Sequence, residues 1–292
     1  MRVSPVPSGM ARSCIGLLLA ILVLPAAAQD RGNTLPRVSP NATVSQTIGV
    51  TEVRMTYGRP RVDGRTIFGD LVPYGEPWRT GANEATTFSV STPVQIEGDT
   101  LAAGTYGLFT VPGPNSWTLI FNDVAEQWGA YEYDPTEDVL RVQASPEPAD
   151  AQELLTFAFE NVTDTSATAV LHWATTRVPF DLTVNTTDVI RRQAAEAVSA
   201  ADSWQTPARY AAYALEHDVL LTDALAWIDR SIALDERFAN VALKARLQAA
   251  QGQYGPAVET ATAALTLAEG VEEKPSGVDE LRTQIENWKA QL

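Results

Sequence analysis

The hydrophobic period of this chain changes once, near Val184, and that change limits what it can fold into. Before it, apolar and polar residues alternate, the two-residue repeat of a half-buried strand; after it they recur at helical spacing. Val53, Met55 and Tyr57 share one face and Glu52, Arg54 and Thr56 the other. Trp117, Leu119 and Phe121 repeat the pattern. So do Leu155, Phe157 and Phe159, then Ala167, Ala169, Leu171 and Trp173, and finally Val178, Phe180, Leu182 and Val184. Turn signals separate the runs: Gly98-Asp99, Pro112 to Asn115, Ser145-Pro146, and Asn161 to Asp164. The stretch GDTLAAGTYGLFTVPG reads as a hairpin arm and the strand after it. Nine or ten short strands predict an antiparallel β-sandwich of jelly-roll or immunoglobulin-like type over 41–184. A closed barrel is the alternative, because alternation does not distinguish two sheets from one rolled sheet.

Residues 185–202 read as a linker or first helix, and 203–292 as an all-α helical-hairpin domain. Within it the sequence repeats at an offset of 33 positions. Leu221 matches Tyr254, Ala224 matches Ala257, Ile228 matches Ala261, Ile232 matches Leu265, and Ala212 matches Ala245. Small residues at fixed places let paired helices approach closely, as in tetratricopeptide-type repeats of about 34 residues. Two such units, with a capping helix from Val278 to Leu292, compete with a plain helical bundle. Either reading makes the tail a protein-docking module.

Residues 1–28 have the form of a secretory signal peptide. Arg2 and Arg12 precede the apolar run Ile15 to Leu24, and Ala26 to Ala28 offer a cleavage site before Gln29. The run is too short for a bilayer span of about 20 residues. Residues 29–40 read as a polar leader. The expected mature protein is therefore periplasmic or secreted, without a membrane anchor. It loses Cys14, the single cysteine, so thiol nucleophiles, thiolate metal sites and disulfides are excluded. Its 19 basic residues against 36 acidic ones give a formal charge of −17, which argues against a nucleic-acid partner. The first lysine is Lys244, so lysine chemistry is excluded before it, and two histidines cannot build a multi-imidazole metal site. No cofactor, no metal and no catalytic residue is expected.

Three groups of residues invite a functional reading. Arg54, Arg59, Arg61, Arg65 and Arg79 stand against Asp63, Asp70 and Glu76, a positive segment in an acidic chain. Converging guanidiniums would hold a carboxylate or phosphate; pairing with protein carboxylates, such as Arg79 with Glu84 or Glu76, would make them scaffold. Trp78 and Asn83 flank this set, Trp78 as a rigid wall or a core plug. Trp128, Tyr131 and Tyr133, interleaved with Glu132, Asp134, Glu137 and Asp138, resemble a sugar-binding surface. Paired carboxylates among Glu84, Glu132, Asp134 and Asp138 would instead serve a carbohydrate-acting hydrolase or lyase, if two stood about 5 to 10 Å apart across a cleft. His172, on the face opposite Leu171 and Trp173, is a ligand contact or a hydrogen-bonded sheet-face residue.

The segments TYGRPRVDGRTIFGDLVPYGEPWRTGANEATTF, LAAGTYGLFTVPG, QWGAYEYD and DVLRV resemble a bacterial family of exported proteins known as domain of unknown function 2911, over roughly Ser39 to Val184. Its motif positions fall on Tyr57, Arg59, Pro60, Gly64, Arg65, Phe68, Gly69, Trp78, Arg79, Gly81, Asn83, Trp128, Gly129 and Tyr133. The resemblance implies a compact exported β-domain and carries no established activity. The reading that follows is a non-enzymatic binding module for a small anionic or carbohydrate-like ligand. Its alternatives are the hydrolase or lyase and a purely structural envelope protein.

Overall fold

A computed structural model describes residues 35–292. The segment read as a signal peptide and the start of the one read as a leader lie outside the described residues. Ten strands come first: β1 (Asn41–Ile48), β2 (Thr51–Gly58), β3 (Thr86–Val90), β4 (Val94–Ile96), β5 (Asp99–Leu101), β6 (Gly104–Val111), β7 (Trp117–Asn122), β8 (Asp138–Ala144), β9 (Glu147–Glu160) and β10 (Ser166–Thr183). Six helices follow: α1 (Thr186–Ser199), α2 (Gln205–Glu216), α3 (Leu221–Leu234), α4 (Phe238–Ala250), α5 (Tyr254–Glu269) and α6 (Val278–Lys289). The strands form two open antiparallel sheets, β1-β2-β3-β6-β7-β8 and β5-β4-β10-β9, so the domain is a sandwich and not a barrel.

The alternation that defines the strands also builds the core. Val53, Met55 and Tyr57 of β2 are buried while Glu52 and Arg54 face water. The center is aromatic. Trp78 stacks on Trp173 with ring centroids 5.8 Å apart, and Phe68 meets Trp117 edge-on at 4.8 Å. β4 and β5 form a hairpin turned at Glu97 and Gly98, both at positive φ, as a tight two-residue turn requires. The arm read from the sequence is thus β5, and β6 after it belongs to the other sheet.

The expectation of uniformly short strands is corrected. The runs Ala167–Trp173 and Val178–Val184 carry their apolar residues at odd and even positions respectively. They nevertheless join in one strand of 18 residues, β10. Ala174 sits between them at φ +53° and shifts the inward face by one position, which is what a β-bulge does. Opposite it, β9 arches outward. His172 pairs with Thr156, Ala174 with Gln152, and Thr176 with Pro148, so each two-residue step on β10 spans four residues of β9.

The helical region realises the 33-residue offset directly. α2 and α4 begin at Gln205 and Phe238, α3 and α5 at Leu221 and Tyr254. Ala211, Ala224, Ala245, Ala257, Ala261 and Ala264 are fully buried, so small side chains set the close helix approach. α6 begins later than a third unit would. α1 resolves the linker reading in favour of a helix. Asn185 caps it by accepting from the Asp188 amide at 3.0 Å. Its Val189 packs into the sandwich core, while Ala194 and Val198 pack with α2 and α3.

Candidate functional site

The chain between β2 and β3 contains most of the residues singled out above. It leaves β2 at Gly58 and first runs along β9. Arg59 donates from Nε to the Leu155 carbonyl at 2.8 Å and from Nη2 to Thr156 Oγ1 at 2.7 Å. The Val62 amide donates to the Glu153 carbonyl at 2.8 Å. The segment therefore covers the free edge of β9, and Arg59 closes the sandwich there. Arg65 donates to the carbonyls of Val62 and Arg61 at 3.0 and 2.6 Å and remains exposed.

Further on, Trp78 exchanges backbone hydrogen bonds with Thr110, at 2.7 and 2.9 Å, and drops its ring into the core. The indole donates to the Gly81 carbonyl at 3.2 Å. Trp78 is a plug. Thr80 and Asn83 both take positive φ, +56° and +64°, as the loop crosses the end of β2. The crossing is close: a Cβ on Gly58 would lie 2.2 Å from the Ala82 carbonyl oxygen, so only glycine fits. Asn83 donates to the Ser39 carbonyl at 3.2 Å, and its own carbonyl accepts from the Gly129 amide at 3.1 Å. With Ala85 N donating to the Gln127 carbonyl at 2.9 Å, residues 83–85 are stitched to 127–129.

The pairing of Arg79 with Glu84 or Glu76, one of the two alternatives read from the sequence, does not form. Glu84, with a side chain 5% exposed, is held by Arg37 through three hydrogen bonds of 2.8 to 3.0 Å. Arg37 lies in the segment read as a leader. An isolated basic residue before the first strand gives no sequence signal for a partner 47 positions away. The Arg79 carbonyl accepts from the Thr86 amide at 3.1 Å, but the Arg79 side chain forms no hydrogen bond and no ion pair among the described residues, and its Nε is buried. Burial pushes its guanidinium below the usual arginine range, and the nearby Tyr131 phenol partly offsets that. Arg59, Arg65 and Arg79 thus meet three different environments, and the groove that Arg65 lines contains neither of the others.

The acidic aromatic stretch divides in two. Trp128 and Tyr131 are 58% and 86% exposed. Tyr133 turns inward against Phe109, with centroids 5.0 Å apart, and donates to Asp138 Oδ2 at 2.7 Å. Asp138 also receives Arg141 at 2.7 Å and Asn122 at 2.9 Å. Asp134 caps the turn before β8 by accepting from Thr136. Of the four carboxylates considered as acid and base, Glu84, Asp134 and Asp138 are therefore held in separate structural contacts. Burial and the Asp138 hydrogen bond push the Tyr133 phenol up to about 12. A raised phenol pKa contributes stability that is complete below the unfolded value near 10 and is lost as pH rises through the folded one. We expect the melting temperature to fall between pH 10 and about 12 and the fall to be smaller in Tyr133→Phe, measured by circular dichroism.

His172 lies on the outer face of β10, its Nε2 2.9 Å from the Asp150 carbonyl. The arch of β9 draws Asp150 away from backbone pairing, and the imidazole takes that place. With Arg177, Gln152 and Glu160 it lines a groove of about 690 Å³. His172 lies in the β9–β10 sheet, whereas the loops of Arg79 and Trp128 are bonded to the start of β3 and to Glu84, and no hydrogen bond among the described residues joins His172 to either. Among the described residues no group of three or more His, Cys, Asp or Glu side chains could hold a metal ion. No helix there is long and apolar enough to cross a membrane.

The fold places the chain among two-sheet β-sandwich proteins that carry a helical tail. More particularly, residues 39–182 match the family described as Protein of unknown function (DUF2911), so the sandwich is a domain of that family. The match spans nearly the whole β-domain and leaves the six helices outside it. No curated protein and no solved structure matches the chain.

Proposed function

We propose that the protein is an exported, non-enzymatic binding module whose β-domain takes a small carboxylate-bearing ligand, free or on an acidic sugar, at Arg79. One observation carries this reading: a half-buried guanidinium without a partner among the described residues, in a chain of 36 acidic residues. A scaffold arginine in such a chain would find a carboxylate, because leaving a desolvated charge unpaired is costly. The exposed rings of Trp128 and Tyr131 are carried by the segment stitched to the loop after Arg79, where they offer faces to a sugar. The helical tail would dock a protein partner. A groove of about 570 Å³ lined from α2, α4, α5 and α6, with Tyr254 and Trp288, supports that part.

The test uses the chain from Gln29 onward with glucuronate, citrate and inorganic phosphate in a thermal-shift titration. Carboxylate ligands are expected to raise the melting temperature, since a ligand at 100 times its Kd adds about 2.7 kcal/mol. Arg79→Ala should abolish the shift and neutral glucose should give none. A flat response to all three anions would defeat the proposal. Export is tested separately: mass spectrometry of protein recovered outside the cytoplasm should find Gln29 as the first residue. An intact Met1 terminus would refute it.

A further inference from the structure

A second cleft lies where the β2–β3 connection meets the bulge of β10. It encloses about 510 Å³ and continues into a neighbouring hollow of about 290 Å³, the two sharing Phe68, Tyr74, Thr175 and Thr176. Both its walls are fixed. Phe68 is set edge-on against Trp117 and Trp173 at 4.8 and 5.9 Å. The loop beneath is closed by hydrogen bonds from Gly69 N to the Val72 carbonyl and from Val72 N to the Ile67 carbonyl, each 2.9 Å. Tyr74 lies directly on Gly69: a Cβ there would come 2.7 Å from the tyrosine ring. The Gly75 amide, donating to the Pro112 carbonyl at 2.9 Å, holds the next residue. The ring, 46% exposed, is therefore placed by the backbone and not left to float.

The opposite side is a rim of unspent hydrogen-bonding groups. The bulge at Ala174 breaks the alternation of β10 at this point, beside Thr175 and Thr176. Neither threonine hydroxyl, nor the Tyr74 hydroxyl, has a hydrogen-bond partner among the described residues. Arg65 spends Nε and Nη2 on carbonyls and leaves Nη1 open. Glu153 accepts from the Asp63 amide through Oε1 at 3.1 Å and leaves Oε2 open. Donors and acceptors of both signs surround a partly aromatic cleft whose volume is that of ordinary ligand pockets, about 300–1,000 Å³.

We infer that this cleft binds the ring of a neutral saccharide, with Tyr74 and Phe68 as the apolar wall and Arg65, Glu153, Thr175 and Thr176 as the hydroxyl-reading rim. A pyranose presents an apolar face of C–H groups and an equator of hydroxyls that both donate and accept. A simple anion would be opposed by Glu153, and a purely apolar ligand would leave the rim unpaired. The site is separate from Arg79 and stands or falls without it.

Isothermal titration of the chain from Gln29 onward with chitohexaose, cellohexaose and xylohexaose tests the assignment. At least one is expected to bind, with affinity reduced about tenfold or more in Tyr74→Ala. Thr175→Lys, at an exposed position, should block the rim to the same effect, and circular dichroism would show both variants folded. The inference is overturned if none of the three sugars binds, or if either cleft variant keeps the parent affinity.

Discussion

Trp78→Ala is expected to destabilise the β-domain by about 3–5 kcal/mol, the cost of emptying a large aromatic site in a packed core. The effect should be at the upper end, because the indole does more than fill space. It stacks on Trp173, meets Phe68 and Trp117, and donates to the Gly81 carbonyl at the start of the β2 crossing. Removing it frees that carbonyl and loosens the loop that carries Arg79. For a domain of this size the melting temperature should drop by roughly 6–20 °C. Trp128→Ala, at a residue 58% exposed, should change stability by less than about 0.5 kcal/mol. Equal effects from the two tryptophans would show that Trp78 is a surface wall and not a plug. The contrast matters for function, since only Trp128 remains free to touch a ligand.

Breaking the contact between Arg37 and Glu84 should be nearly as damaging. Glu84→Ala and Arg37→Ala are each expected to cost about 3 kcal/mol, because removing one partner leaves the other charge in a poorly hydrated place. The cost stays at the lower end of the range for buried pairs, since the Arg37 side chain is 22% exposed and keeps some water. The double variant should cost less than the two together. A coupling of about 1.5 kcal/mol or more in a chemical-denaturation cycle would mark a genuine charge pair. Additivity to within about 0.5 kcal/mol would instead reduce it to an exposed ion pair of the kind that contributes little. The pair anchors residues 37–40 to the loop through 83–85, beside the Asn83 bond to the Ser39 carbonyl. Its loss should therefore also weaken the proposed carboxylate binding at Arg79.

The sequence by itself determined the architecture. Strand faces follow from period-two alternation, and the change to helical spacing places the boundary within a residue or two of where β10 ends and α1 begins. The 33-residue offset reappears in the starts of four helices, since a repeat in local pattern becomes a repeat in local structure. The family resemblance over the β-domain was readable because its motifs are contiguous strings. What the tertiary structure decided is where each polar side chain spends its hydrogen bonds. Arg59 reaches β9, Arg65 folds onto its own loop, and the Arg79 side chain is left without a partner among the described residues. All three are arginines of one short positive segment, and nothing in their spacing separates them. Glu84 found Arg37 in place of Arg79, and Tyr74 was given a wall by a glycine five residues earlier. The single strand β10 was hidden for the same reason: one left-handed alanine changes the parity of two apolar runs. Periodicity reports which face of an element is buried. Partnership depends on distances across sheets and loops, and those exist only once the chain has folded.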